Sequence, residues 1–211
     1  MVNKLKFQVH LRGNRSRLFI FTVTKHFVMQ SFFKILLITL FLPSVMQAQS
    51  VPPSADAVMK DAYRQAAREG KNVFVIFHAS WCVWCHRMDT SMNDASCKKF
   101  FDDHYVIRHL AVDESKDKKN LENPGANEFR NKYGGADLGI PYWLIFDSNG
   151  KLLADSRIRI DGNLNSTPGD NSGCPATEKE VAYFIKILKQ TSNLSADEEI
   201  VIAKRFRQNE H

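Results

Sequence analysis

Beyond residue 50 the apolar positions fall into clearly different rhythms. Val58, Met59, Ala62, Tyr63 and Ala66 recur at helical spacing, with Ser54 placed to cap the helix and Gly70 to end it. Residues 73–77 (VFVIF) are apolar without a break, the pattern of a short strand covered on both faces. Residues 142–146 (YWLIF) repeat it, and DSNG at 147–150 then makes a tight turn into a hairpin partner at 151–154. A further strand is expected at 105–112 (YVIRHLAV), and a helix from about Cys85 onward, where CHRMDTSM has neither Pro nor Gly. Val181, Phe184, Ile185 and Leu188 follow a Thr177/Glu180 capping box, and Ser195 with Glu198 opens a last helix in the same way. Two polar stretches interrupt the pattern and are expected as loops: 114–139, with a short helix near 127–133, and 161–175, rich in Gly, Asn and Ser. The charged run ESKDKKNLE at 114–122 reads as solvated surface, and no internal repeat or second hydrophobic domain is visible.

The first 48 residues differ in kind. They hold seven of the 29 basic residues and no acid, so the rest of the chain carries 22 basic against 23 acidic residues. The formal charge of +6 therefore does not mark a phosphate-binding surface, and no nucleic-acid partner is expected. Lys34, the apolar run 35–42 (ILLITLFL), Pro43 and Ala48 in VMQAQS together read as a cleavable secretory signal, too short to span a bilayer. A start at Met29 would give that signal ordinary proportions. The expected organisation is a signal region at 1–48 and one domain at 49–211, exported to the periplasm or secreted, with no stable membrane insertion once the signal is removed. The 211 residues, 44% of them hydrophobic, suffice for one such domain with a true core.

The chemistry is concentrated in WCVWCH, residues 81–86. Cys82, Cys85 and His86 spell the attachment signal of c-type haem, whereas Cys-x-x-Cys after a tryptophan is also the form of a redox dithiol. Cys82, Cys85, His78 and His86 could further be read as zinc or copper ligands, although ligands bunched about one turn lack a second half-site. Two cysteines so close cannot staple distant parts of a fold. They follow a buried strand and open a helix. Cys97 reads as a small core residue in a helical segment; Cys174, in a polar loop, would leave an exposed thiol unless it pairs with Cys97.

The order of elements resembles the thioredoxin fold: an α/β architecture with a central mixed sheet flanked by helices, here with an extra C-terminal helix. VFVIFHASWCVWCHRM (73–88) is similar to the strand and active-site helix of that family, GIPYWLIFDSNGK (139–151) to its cis-proline segment, and ATEKEVAYFIKIL (176–188) to its closing helix. The likeness is nearest to exported thioredoxin-like proteins and to the C-terminal domain of the periplasmic thiol:disulfide interchange reductase. It weighs against haem, which needs a helix-rich shell and a distant axial ligand that Met88 cannot supply. It implies no cofactor and no metal, with Cys82 as attacking nucleophile and Cys85 as resolving thiol. Trp81 and Trp84 would offer apolar surface to a polypeptide. Pro141, cis in the family, would let the backbone of Ile140 pair with a substrate strand. The implied activity is reduction or isomerisation of protein disulfides, with electrons from a membrane donor; the rivals are a disulfide-introducing oxidant and a client-binding module. Two departures stand out: Ile76 occupies the position where thioredoxins bury an acid, and Val83-Trp84 replaces their Gly-Pro.

Overall fold

The computed structural model describes residues 51–210. The signal region at 1–48 and the start at Met29 lie outside the described residues. Helix α1 (Ala55–Glu69) begins where Ser54 Oγ accepts a hydrogen bond from Ala57 N at 3.2 Å and ends at Gly70, whose φ of 66° suits a residue without Cβ. Met59, Ala62 and Ala66 form its buried stripe.

Strand β1 (Asn72–His78) is the centre of the sheet. It runs parallel to β2 (Tyr105–Ala111) and antiparallel to β3 (Tyr142–Phe146), which pairs antiparallel with β4 (Leu152–Asp155), giving the order β2-β1-β3-β4. Alternation explains the unbroken apolar runs. Phe74 and Ile76 of β1 face one core with Trp143 and Ile145 of β3, while Val73, Val75 and Phe77 face another with Tyr142, Leu144 and Phe146. The second core is closed by α1 and by Ala126 and Phe129 of α4 (Ala126–Lys132).

The first core takes the remaining helices: α2 (Val83–Met92), α3 (Lys98–His104), α5 (Glu178–Thr191) and α6 (Ala196–Arg207). Phe184 of α5 lies at its middle, with ring centroids 4.9 Å from Phe206, 5.7 Å from Trp143 and 6.3 Å from Phe101. Both capping boxes form, Thr177 with Glu180 and Ser195 with Glu198, so each of these helices starts with its first N–H groups satisfied. The C-terminal helix is thus part of the core, contributing Ile202 and Phe206.

The sequence expectations hold for the strands to within a residue at either end, and differ elsewhere for identifiable reasons. Cys97 does not lie within a helix but precedes α3, in the turn after Asp94, whose carboxylate accepts from Ser96 N and Oγ and so breaks the helical run. The polar stretch 114–139 holds a 3₁₀ helix (Lys116–Leu121) as well as α4. Among the described residues, no helix is long and apolar enough to cross a membrane.

Candidate active site

The C-terminal end of β1 leads through Ala79, Ser80 and Trp81 into α2, and Cys82 is the N-cap of that helix. Cys82 and Cys85 form a disulfide with Cα atoms 5.3 Å apart. Cys85 N donates to Cys82 Sγ at 3.1 Å, so a backbone N–H at the positive end of the helix is aimed at the sulfur that would carry a thiolate. In this oxidised state both cysteines are buried, 3% and 1% exposed, with Ala79 and Ile140 packed against them.

The other wall is the loop before β3. Its Ile140–Pro141 peptide bond is cis, and Ile140 O lies 3.6 Å from Cys82 Sγ. Proline at this point removes an N–H from beside the sulfurs. Around the disulfide the surface is apolar, with Trp81 56%, Val83 63% and Trp84 45% exposed. Both tryptophans are held in place. Trp81 Nε1 donates to Asp113 O at 2.8 Å, and the Arg87 guanidinium lies over the Trp84 ring at 4.5 Å. A groove of about 420 Å³ opens beside Trp84, Ile140 and Pro141, its far wall formed by Ser172, Gly173 and Cys174. The structure therefore brings together all six residues singled out in the sequence: Cys82, Cys85, Trp81, Trp84, Ile140 and Pro141.

Several supports were not visible in the sequence. Glu114, expected in solvated surface, is only 5% exposed and binds Ser80 with both carboxylate oxygens. Ser80 O also accepts from His86 Nε2 at 3.1 Å, which turns His86 back on the loop. Asp113 adopts a positive φ of 53° and pairs with the buried Arg130, anchoring the same stretch to α4. Asn209, in the 3₁₀ turn Gln208–Glu210, accepts from Arg87 Nη1 through its backbone oxygen at 2.9 Å and from Ser91 Oγ through its side chain at 3.1 Å. The end of α6 thereby fastens α2.

Ile76 is 1% exposed within the first core, so the site has no buried acid from that position. The ionisable group at the end of β1 is instead His78, whose ring stacks edge-on against His109 at 5.1 Å; His109 Nε2 in turn donates to Asp89 at 2.8 Å. Burial, and then the neighbouring imidazole of His109, holds His78 below its ordinary value. Among the described residues, no group of three His, Cys, Asp or Glu side chains is arranged to hold a metal ion.

Cys97 and Cys174 are not disulfide-bonded, and the expectation of an exposed thiol at Cys174 is overturned: the two are 0% and 5% exposed. Trp143 Nε1 donates to Gly173 O at 3.0 Å and Asn209 Nδ2 to Cys174 Sγ at 3.4 Å, which draws the polar loop inward. Burial pushes the Cys174 thiol up to about 12 and raises Cys97 as well, so neither offers a thiolate near neutral pH.

Residues 55–148 match the model of a family described as thioredoxin-like. Among solved structures, the disulphide isomerase from Xylella fastidiosa Temecula1 is similar at 18% identity and a TM-score of 0.42, covering 81% of this chain and 98% of that one. A DsbH oxidoreductase is similar at 19% identity and a TM-score of 0.39, covering 66% and 83%. The exposed lipoprotein thioredoxin Etrx1 of Streptococcus pneumoniae strain TIGR4 is 19% identical with a TM-score of 0.36, covering 59% and 88%. No curated protein matches the chain.

Proposed function

We propose, from the match of residues 55–148 to a family described as thioredoxin-like, that the chain is an exported thiol:disulfide oxidoreductase that reduces or isomerises disulfides in other proteins. The observation that carries this reading is the Cys82–Cys85 disulfide at the N-terminus of α2, facing the cis Ile140–Pro141 bond between exposed tryptophans. Apolar surface next to a reactive sulfur suits an extended or unfolded polypeptide.

In the reduced protein the Cys82 thiolate attacks one sulfur of a substrate disulfide. The substrate S–S bond breaks, a mixed disulfide forms, and the departing substrate thiolate takes a proton from water. Cys85 then attacks Cys82 Sγ as a thiolate, which closes the Cys82–Cys85 bond and releases the second substrate sulfur as a thiol. Two electrons have passed from protein to substrate, and a dithiol donor at the membrane returns them in the opposite sequence. Residues 1–48 act as the export signal and 49–211 as the redox domain, placing the protein in the periplasm or outside the cell.

The test is the reduction potential of the pair, equilibrated against glutathione or dithiothreitol buffers, together with trapping by Cys85→Ser. A potential near the roughly −270 mV of thioredoxin, with a mixed disulfide accumulating in C85S and none in C82S, supports the reductase. A potential near about −120 mV reverses the direction and makes the protein a disulfide donor. Client binding that survives replacement of both cysteines, without exchange in the native protein, overturns the reading in favour of a binding module.

A further inference from the structure

The segment between β4 and α5 is tied to the cis-proline loop through one side chain. Asn171 Nδ2 donates to Gly139 O at 2.7 Å and to Pro141 O at 3.1 Å, the two carbonyls on either side of Ile140. Its Oδ1 accepts from Gly173 N at 3.1 Å. Two acceptors face one end of the amide and a donor faces the other, so only one orientation of the side chain satisfies all three partners.

The amide is aimed by a small scaffold. Ile158 N donates to Asp170 O and Ser172 N to Ser156 O, each at 2.8 Å, making a short antiparallel ladder with Arg157 opposite Asn171. The root of the ladder is the fully buried Asp155, whose carboxylate receives Arg157 Nη2 and Arg159 Nη1 at 2.6 Å each. Trp143 Nε1 pins the far side through Gly173 O. A segment with the composition of a flexible loop is thus fixed at both ends against the loop that faces Cys82.

We propose that Asn171 is a positioning residue that sets the polypeptide-binding edge at Ile140, holding the carbonyls of Gly139 and Pro141 so that the backbone between them meets a substrate strand beside Cys82. The proposal rests on the oxidoreductase reading and adds to it the residue that shapes its substrate edge. The segment 156–174 is then a recognition wall: with Asn171 in place it also closes the groove beside Trp84.

The experiment compares wild type with Asn171→Ala and the isosteric Asn171→Asp, using a fluorogenic peptide disulfide with dithiothreitol as electron donor. Aspartate keeps the volume and the bond from Gly173 N but cannot donate to the two carbonyls. Loss of both donated bonds is expected to raise KM about tenfold in each variant, with kcat changed less than about threefold, and amide exchange across 139–143 is expected to quicken while α5 is unaffected. Asn171→Ser, which retains one donor, should fall between, and carries the test where the other two fail to fold. A folded variant lacking the donor but with unchanged KM overturns the proposal, as does a lowered melting temperature with KM and kcat both intact. Absence of exchange in the wild type itself would instead overturn the oxidoreductase reading.

Discussion

Both oxygens of the buried Glu114 carboxylate are held by one residue, Ser80: Oε1 accepts from the Ser80 backbone N–H at 2.6 Å and Oε2 from its hydroxyl at 2.8 Å. Ser80 lies two positions before Cys82, so a carboxylate in the loop after β2 fixes the entry to α2. Glu114→Ala removes two charge-assisted bonds and is expected to cost about 2 kcal/mol of stability and to slow disulfide exchange. Glu114→Gln, which can still accept from the N–H, is expected to cost about half as much. Urea denaturation of the oxidised proteins, with exchange rates measured in parallel, checks both.

Asp155 makes a pH-dependent contribution. Burial works against its charge, yet the hydrogen bonds from Arg159 and Arg157 outweigh that and hold the carboxyl below its ordinary value of 3.8. The carboxylate therefore contributes fully above that value, and its contribution is lost as pH falls toward the lower folded value. Asp155→Asn leaves the buried Arg159 and the partly buried Arg157 without their counter-charge and is expected to destabilise the protein by about 3 kcal/mol at neutral pH. The gap between variant and wild type should be constant from pH 7 to about 4.5 and narrow below about 3.8; thermal unfolding across that range decides it.

Cys97 and Cys174 are expected to stay silent in the redox cycle. With both thiols buried and held above their ordinary value, the folded, oxidised protein should take up no alkylating reagent at pH 8, the reduced protein should take it up first at Cys82, whose sulfur faces a helix N–H, and denaturant should expose all four cysteines. Mass spectrometry of the adducts reads this directly. Rapid labelling of Cys174 in the folded state would show that the 156–174 segment opens.

Phe206 is 0% exposed and lies against Phe184 and Phe101. Phe206→Ala is expected to cost about 3–4 kcal/mol through lost burial and the cavity left behind. Because the turn after α6 fastens α2, the same change should loosen the redox helix. Amide exchange at Arg87 to Ser91 is the measurement that detects it.

Much of this was legible in the sequence, and the physical reason is locality. Strands β1 and β3 announced themselves as unbroken apolar runs because both faces are covered, and the capping boxes at Thr177 and Ser195 are read within four residues. Cys-x-x-Cys at a strand-to-helix junction is likewise local. Resemblance, rather than pattern, supplied the cis geometry at Pro141. The supports escaped notice because each is a polar side chain in a polar stretch, meeting a partner far along the chain: Glu114 to Ser80 across 34 positions, Asn171 to Gly139 across 32, Asn209 to Ser91 across 118. Nothing in ESKDKKNLE distinguishes Glu114 from its solvated neighbours. The burial of Cys174 is hidden for the same reason, since the composition around it is that of an open loop and its burial comes from Trp143 and Asn209.

The fastening of α2 by Asn209 also has a meaning in time. Arg87 and Asn209 are 122 positions apart, so a chain emerging from its N-terminus, whether from a ribosome or from a membrane pore, presents its two redox cysteines long before the residue that steadies their helix. Until residue 209 has emerged, α2 lacks this brace. On the reading proposed above, the helix that carries the dithiol is steadied only after the chain far beyond it has been made.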